Sequence, residues 1–153
     1  MKIKTFESIE KGKLILEQIY LNNPEVGKLE NCMAAYHNEL KPDDISRCIA
    51  TMSRYMDKLG ELISELSAKA NEAYIYKKYK YLWEYTQITK TLTVKDREGI
   101  ASDRIFDEQE EEIINRFVAD FMHTKFKTFD KFISVLQSRI GLMRSEIIRA
   151  NYE

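Results

Sequence analysis

Two runs of apolar residues constrain this chain more than anything else in it. Ile45, Ile49, Met52, Met56, Leu59, Ile63, Leu66, Ala70 and Ala73 are spaced by gaps that alternate four and three, and Met122, Phe126, Phe129, Ile133, Leu136, Ile140, Met143, Ile147 and Ala150 repeat the pattern at equal length. That alternation puts every member on one stripe of an α-helix, so each run is a heptad seam that must pack lengthwise on a partner. Paired with each other, the seams make a long antiparallel helical hairpin, and the fold class is all-α. Two prolines and five glycines in 153 residues, with 32% charged side chains, fit long helices rather than a turn-rich β fold.

Pairing the seams end to end sets Ala73 opposite Met122 and centres the turn near residues 97 and 98, beside Gly99. Thr86 to Ser102 is poor in periodic apolar residues and rich in threonine, as a connection should be. Ser102 is placed to cap the second long helix, whose first turns carry Asp103, Asp107 and Glu108. The alternative cap, Thr93 with Asp96 three residues on, brings the turn earlier and slips the register. Gly60 and Gly141 fall on the outer faces of the two helices, each costing about 1 kcal/mol against alanine.

Ahead of the hairpin, residues 1–41 form an N-terminal helical arm, and residues 42–153 complete a single domain. Phe6, Ile9, Leu16, Ile19 and Tyr20 mark a first helix with Gly12 in its midst. Asn23 and Pro24 are a boundary, asparagine as cap and proline at the first helical position. Val26, Leu29, Met33, Tyr36 and Leu40 then predict a second helix ending near Leu40. Pro42, Asp43 and Asp44 open the first long helix, with acid at the positive end of its dipole.

The chemistry concentrates between residues 74 and 85, which hold five of the nine tyrosines and the only tryptophan. Lys77 stands where the first seam should continue, and from there aromatic side chains spread around the helix. Lysines neutralise phosphates while aromatic rings offer flat faces to unstacked bases, the chemistry of a single-strand nucleic-acid groove. The nucleic-acid-binding set is Tyr76, Lys77, Lys78, Tyr79, Lys80, Trp83 and Tyr85, extended by Lys90, Lys95 and Arg97 in the connection. The same residues also suit a crowded packing face. Net charge is only -1, so any nucleic-acid binding is local. Lys125, Lys127, Lys131, Arg139, Arg144 and Arg149 flank the second seam, where charges guide pairing and solubility.

No glycine-rich phosphate loop, His-Glu-x-x-His or nucleophile elbow is present, so the chain is expected not to be an enzyme and to need no cofactor or metal. His37 and His123 are isolated and read as partly exposed helix residues. Glu108, Glu111 and Glu112 belong to an acidic run, residues 107–112, that reads as a solvated face, and the Glu-x-x-His pairs of carboxylate metal bundles are missing. Cys32 and Cys48 suit neither zinc nor a disulfide scaffold and are expected to be buried thiols. With no apolar leader and no stretch near the roughly 20 apolar residues of a membrane span, the expected location is cytoplasmic, the host cell cytoplasm if phage-encoded.

The run from Tyr76 to Tyr85 resembles a segment of the phage recombination mediator family, UvsY-like proteins, in which a charged helix ends in a Leu-x-x-Tyr-type aromatic patch before a loop. Residues 133–140, Ile-Ser-Val-Leu-Gln-Ser-Arg-Ile, are similar to that family's C-terminal helix, and the order of elements agrees over roughly residues 43 to 150. The resemblance implies a small helical homo-oligomer that binds single-stranded DNA and helps load a recombinase where a single-strand-binding protein sits. It sets Lys78 and Lys80 at or beside the basic DNA-contacting positions and Tyr85 in the aromatic patch. This chain departs in its longer N-terminal region, Met1 to Leu40, and in lacking a glycine-rich loop directly after the aromatics. Two other functions stay open on the residues alone: an oligomeric interaction or regulatory protein docking a protein partner through the exposed aromatics, and a binder that sequesters a nucleotide between subunits.

Overall fold

The computed structural model describes residues 2–36 and 40–151. His37 lies outside the described residues. Five helices follow one another, α1 (Lys2–Asn22), α2 (Pro24–Ala34), α3 (Pro42–Gln87), α4 (Val94–Arg104) and α5 (Phe106–Ala150), with no strand among the described residues. The chain divides into two compact units, one built on residues up to Glu17 and Ser64–Phe121, the other on Gln18–Ile63 and residues from Met122 on.

The seams bury as their spacing requires. In α3, Ile45, Met52, Met56, Leu59, Ile63 and Ala73 are buried, and in α5 so are Met122, Phe129, Ile133, Leu136 and Ile140. Each large side chain taken out of water contributes about 1.5–3 kcal/mol. The second seam outruns its cover: Met143 is half-buried and Ile147 is 53% exposed.

In the second unit, α2 lies antiparallel to α3, with Lys58 paired to Glu25 at 3.1 Å and Lys28 over the Tyr55 ring. The same helix runs parallel to α5, where Lys125 reaches Glu30 at 2.7 Å and Phe132 meets Tyr36 edge to face. Val26 and Leu29 supply its buried stripe. The helix stops at Ala34, short of Leu40, because Tyr36 N–H turns back onto the Met33 carbonyl while its ring seats on Phe132. Asn23 also differs from expectation. Its side chain makes no cap bond to α2 and instead donates to the Ile19 carbonyl at 2.9 Å, closing α1, while Pro24 does take the first position of α2.

In the first unit, α1 runs parallel to α5: Ser8 and Lys11 both reach Glu110, and Gly12 meets Phe117. A β-carbon on Gly12 would come to 2.6 Å from the Phe117 ring, so the glycine sets this approach. Along α3 and α5, Tyr74 stacks with Arg116 and Lys77 pairs with Glu112, which fixes the antiparallel sense.

The register is not the end-to-end one. Equal overlap of the seams would set Lys77 opposite Val118, yet its partner is Glu112, six residues earlier. The cause is the earlier of the two caps. Thr93 Oγ1 accepts from the Asp96 backbone N–H at 3.2 Å and donates to its carboxylate at 2.6 Å, which starts α4 at Val94. Gly99 and Ser102 therefore lie inside α4, and it is Ile105 that interrupts the helix, its carbonyl accepting from Gln109 N–H as α5 begins. Ala101 and Ile105 are buried, so this short helix is anchored by its own apolar stripe.

Candidate nucleic-acid interface

Beyond Ala73 the heptad positions of α3 continue, but with charge in them. Lys77, Lys80 and Glu84 occupy successive seam positions, and the buried Ile88 follows just past the end of the helix. Lys77 donates to Glu112 at 3.0 Å, with side chains only 24% and 9% exposed, and Arg116 also reaches Glu112. Glu84 gathers Arg104 at 3.2 Å and Lys80 at 3.8 Å. Glu112 is thus buried and paired, not part of a solvated acidic face as its run suggests, because Lys77 and Arg116 supply the charge it faces.

Ionic seam positions leave the aromatics outside. Tyr79 is 67% and Trp83 48% exposed, Ile75 and Leu82 are exposed beside them on the face of α3 turned away from the ladder, and Tyr76 is exposed at its flank beside Glu111 and Asn115 of α5. Lys78 is exposed and makes no ion pair among the described residues. Lys80 Nζ lies 5.4 Å from the Trp83 ring centre while it reaches Glu84, so it bridges the outward and inward faces. A shallow groove of about 520 Å³ runs along the same face, lined by Ala68, Asn71, Glu72, Ile75, Tyr76 and Tyr79.

The ten residues singled out in the sequence therefore fall into three groups. Tyr76, Lys78, Tyr79 and Trp83 share one exposed stretch of α3, with the half-buried Lys80 among them. Lys77, Tyr85 and Arg97 are half-buried: Lys77 in the ion pair, Tyr85 stacked on Tyr81 with ring centres 6.2 Å apart, and the Arg97 guanidinium 4.9 Å over the Tyr85 ring. Lys90, in the loop after α3, and Lys95, in the first turn of α4, are exposed.

Residues 74–95 carry five lysines against one acid, Glu84, in a chain of nearly zero net charge. Ile75 and Leu82 are the members of this surface that aromatic content alone does not reveal. Their signal is spacing, since Ala68, Ile75, Tyr79 and Leu82 form a second stripe at heptad intervals on the opposite side of α3. His123 is exposed on α5, and no group of three or more His, Cys, Asp or Glu among the described residues is placed to hold a metal ion. No helix among them is long and apolar enough to cross a membrane. No family model, curated protein or solved structure matches the chain.

Proposed function

We propose that this chain is a non-enzymatic accessory protein that binds single-stranded DNA on the outer face of the last turns of α3 and assists the loading of a recombinase. The observation that carries the proposal is the exposure of Tyr79 and Trp83, one helical turn apart, with Lys78 exposed nearby and Lys80 against the indole. Four residues of helix separate the two rings by about 6 Å along the axis, a step that an unstacked strand can follow. Stacking contributes about 1–3 kcal/mol per base and tolerates any sequence. Lys90 and Lys95 extend the positive surface past the end of the helix, adding phosphate contacts whose strength falls with salt.

One copy offers only two or three stacking positions, so a strand is held firmly when several copies present them together. The uncovered end of the second seam, Met143 and Ile147, favours such self-association. The resemblance to UvsY-like mediators supplies the recombinase and the single-strand-binding protein as partners.

Because Trp83 is the only tryptophan, its fluorescence reports on the proposed surface directly. Titration with poly-deoxythymidine, duplex DNA and a nucleotide mixture, each at low and high salt, tests the proposal. Quenching by the single strand alone, reversed by salt, is the expected result. An unchanged spectrum with every nucleic acid would sink it.

A protein-docking role is favoured by a different observation, the apolar stripe of Ile75, Tyr79 and Leu82 along the 520 Å³ groove. Double substitution Ile75→Ser with Leu82→Ser separates the two roles, since it removes apolar contact while leaving Trp83 and every lysine in place.

A further inference from the structure

Cys32 on α2 and Cys48 on α3 are the only cysteines in the chain, and both stand in the second unit. The sequence predicts buried thiols outside any disulfide scaffold, but the structure sets both on one groove. Both are half-buried, and both line one open groove of about 310 Å³ shared with Ala35, Tyr36, Asp44 and Arg47. The two side chains are near neighbours across this groove, and the Cys32 thiol adds to burial in pushing the Cys48 thiol up from its ordinary value. Helix α2 arrives there already fixed by Glu25 to Lys58 on α3 and by Glu30 to Lys125 on α5, so packing on both sides sets the two cysteines on one groove.

We propose that Cys32 and Cys48 form a thiol–disulfide exchange site, closed by a low-molecular-weight disulfide of the glutathione type into a covalent bond between α2 and α3. The step balances without any further reagent. One cysteine loses its proton to water and its thiolate attacks the small disulfide, expelling one small thiolate and leaving a mixed disulfide on the protein. The second cysteine loses its proton and attacks the protein sulfur of that mixed disulfide, expelling the other small thiolate. Two protein thiols are oxidised to one disulfide, and one small disulfide is reduced to two thiols. The open groove admits the reagent to the first sulfur, and the second sulfur waits beside it. Burial and the neighbouring thiol push the Cys48 thiol up from its ordinary value, so closure is slow at neutral pH and quickens as pH rises.

The test uses the full chain, reduced, desalted and incubated with glutathione buffers of increasing disulfide content, followed by intact mass and free-thiol titration. The expected product is a monomer that has lost both thiols, carries no glutathione, and regains both thiols with dithiothreitol. Its urea midpoint shifts upward, because the bond closes the segment between the two helices. Cys32→Ala and Cys48→Ala should each stop at one bound glutathione. Three results on the parent chain overturn the proposal independently of either variant: a stable glutathione adduct, a disulfide-linked dimer as the sole oxidised species, or retention of both thiols at the highest disulfide content.

Discussion

Lys77 continues the heptad ladder that Ala73 ends as an apolar seam, and it meets Glu112 across the hairpin at 3.0 Å. That pair explains why an aromatic cluster remains on the surface. With charge in the ladder at Lys77 and Glu84, Tyr79 and Trp83 keep the outward face and Tyr76 its flank.

The pair predicts a split between two adjacent lysines. Lys77→Ala leaves Glu112, 9% exposed, with Arg116 alone, and should cost about 1–3 kcal/mol of stability, less than the loss of a fully buried pair. Lys78→Ala touches no partner and should stay within about 0.5 kcal/mol. In single-strand binding the order reverses, Lys78→Ala weakening affinity and flattening its salt dependence while Lys77→Ala changes little. Urea melts beside fluorescence titrations measure both. Equal effects of the two variants on binding would contradict the placement of Lys77.

Tyr79 carries a second expectation. Tyr79→Ala removes one exposed ring and should lower single-strand affinity by about 1–3 kcal/mol, a factor of roughly 5 to 150, with the urea midpoint unmoved. Tyr85→Ala should do the opposite. Its ring is stacked on Tyr81 and covered by Arg97, so its loss weakens the anchoring of α4 and lowers the midpoint. Should Tyr79→Ala bind poly-deoxythymidine as the parent does, stacking on this face is excluded.

The helices were legible in the sequence because the hydrophobic pattern that selects a helix also selects its buried stripe. Ile45 to Leu59 and Met122 to Ile140 were readable for that reason. The register was not, because it turned on a local contest between two caps, Thr93 and Ser102, worth about 1 kcal/mol each. Asn23 misled in the same way, since an asparagine between two helices can bond to either, and here it closes α1. At the candidate site the aromatic and basic content was plain in sequence. What pattern could not supply was which lysines are spent on carboxylates 35 residues away, as Lys77 is on Glu112. The meeting of Cys32 with Cys48 was hidden for the same cause, because it depends on how α2 docks.

Two glycines test the packing from opposite directions. At Gly12 an added methyl would press into the Phe117 ring at 2.6 Å, so Gly12→Ala should destabilise by about 1–3 kcal/mol as ring or helix gives way. At Gly141 nothing lies within 4 Å, so Gly141→Ala gains helix propensity and should stabilise by about 0.5–1 kcal/mol. Chemical denaturation of the two variants checks both signs, and a stabilised Gly12→Ala would mean that α1 does not lie against α5 as described.

The last prediction concerns acid. Glu25 sits in the first turn of α2, where its own backbone N–H, and then Lys58 at 3.1 Å, hold its carboxyl below the usual carboxylate range. A carboxyl whose folded value is depressed binds its proton more readily in the unfolded chain. Its contribution is therefore fully present above the unfolded value of 4.5 and is lost as pH falls through the lower folded value. Glu25→Gln should accordingly lower the urea midpoint at pH 7 and converge with the parent in strong acid. Lys125 gives the opposite sign. Its hydrogen bond to Glu30 raises its pKa, so its contribution is complete below 10.5 and disappears only as pH climbs through the higher folded value. Lys125→Met should therefore differ from its parent at pH 7 and converge with it in strong alkali. Midpoints collected from pH 3 to pH 11, about the range over which these groups titrate, distinguish the two pairs, and a Glu25→Gln difference that grew on acidification would refute the assignment.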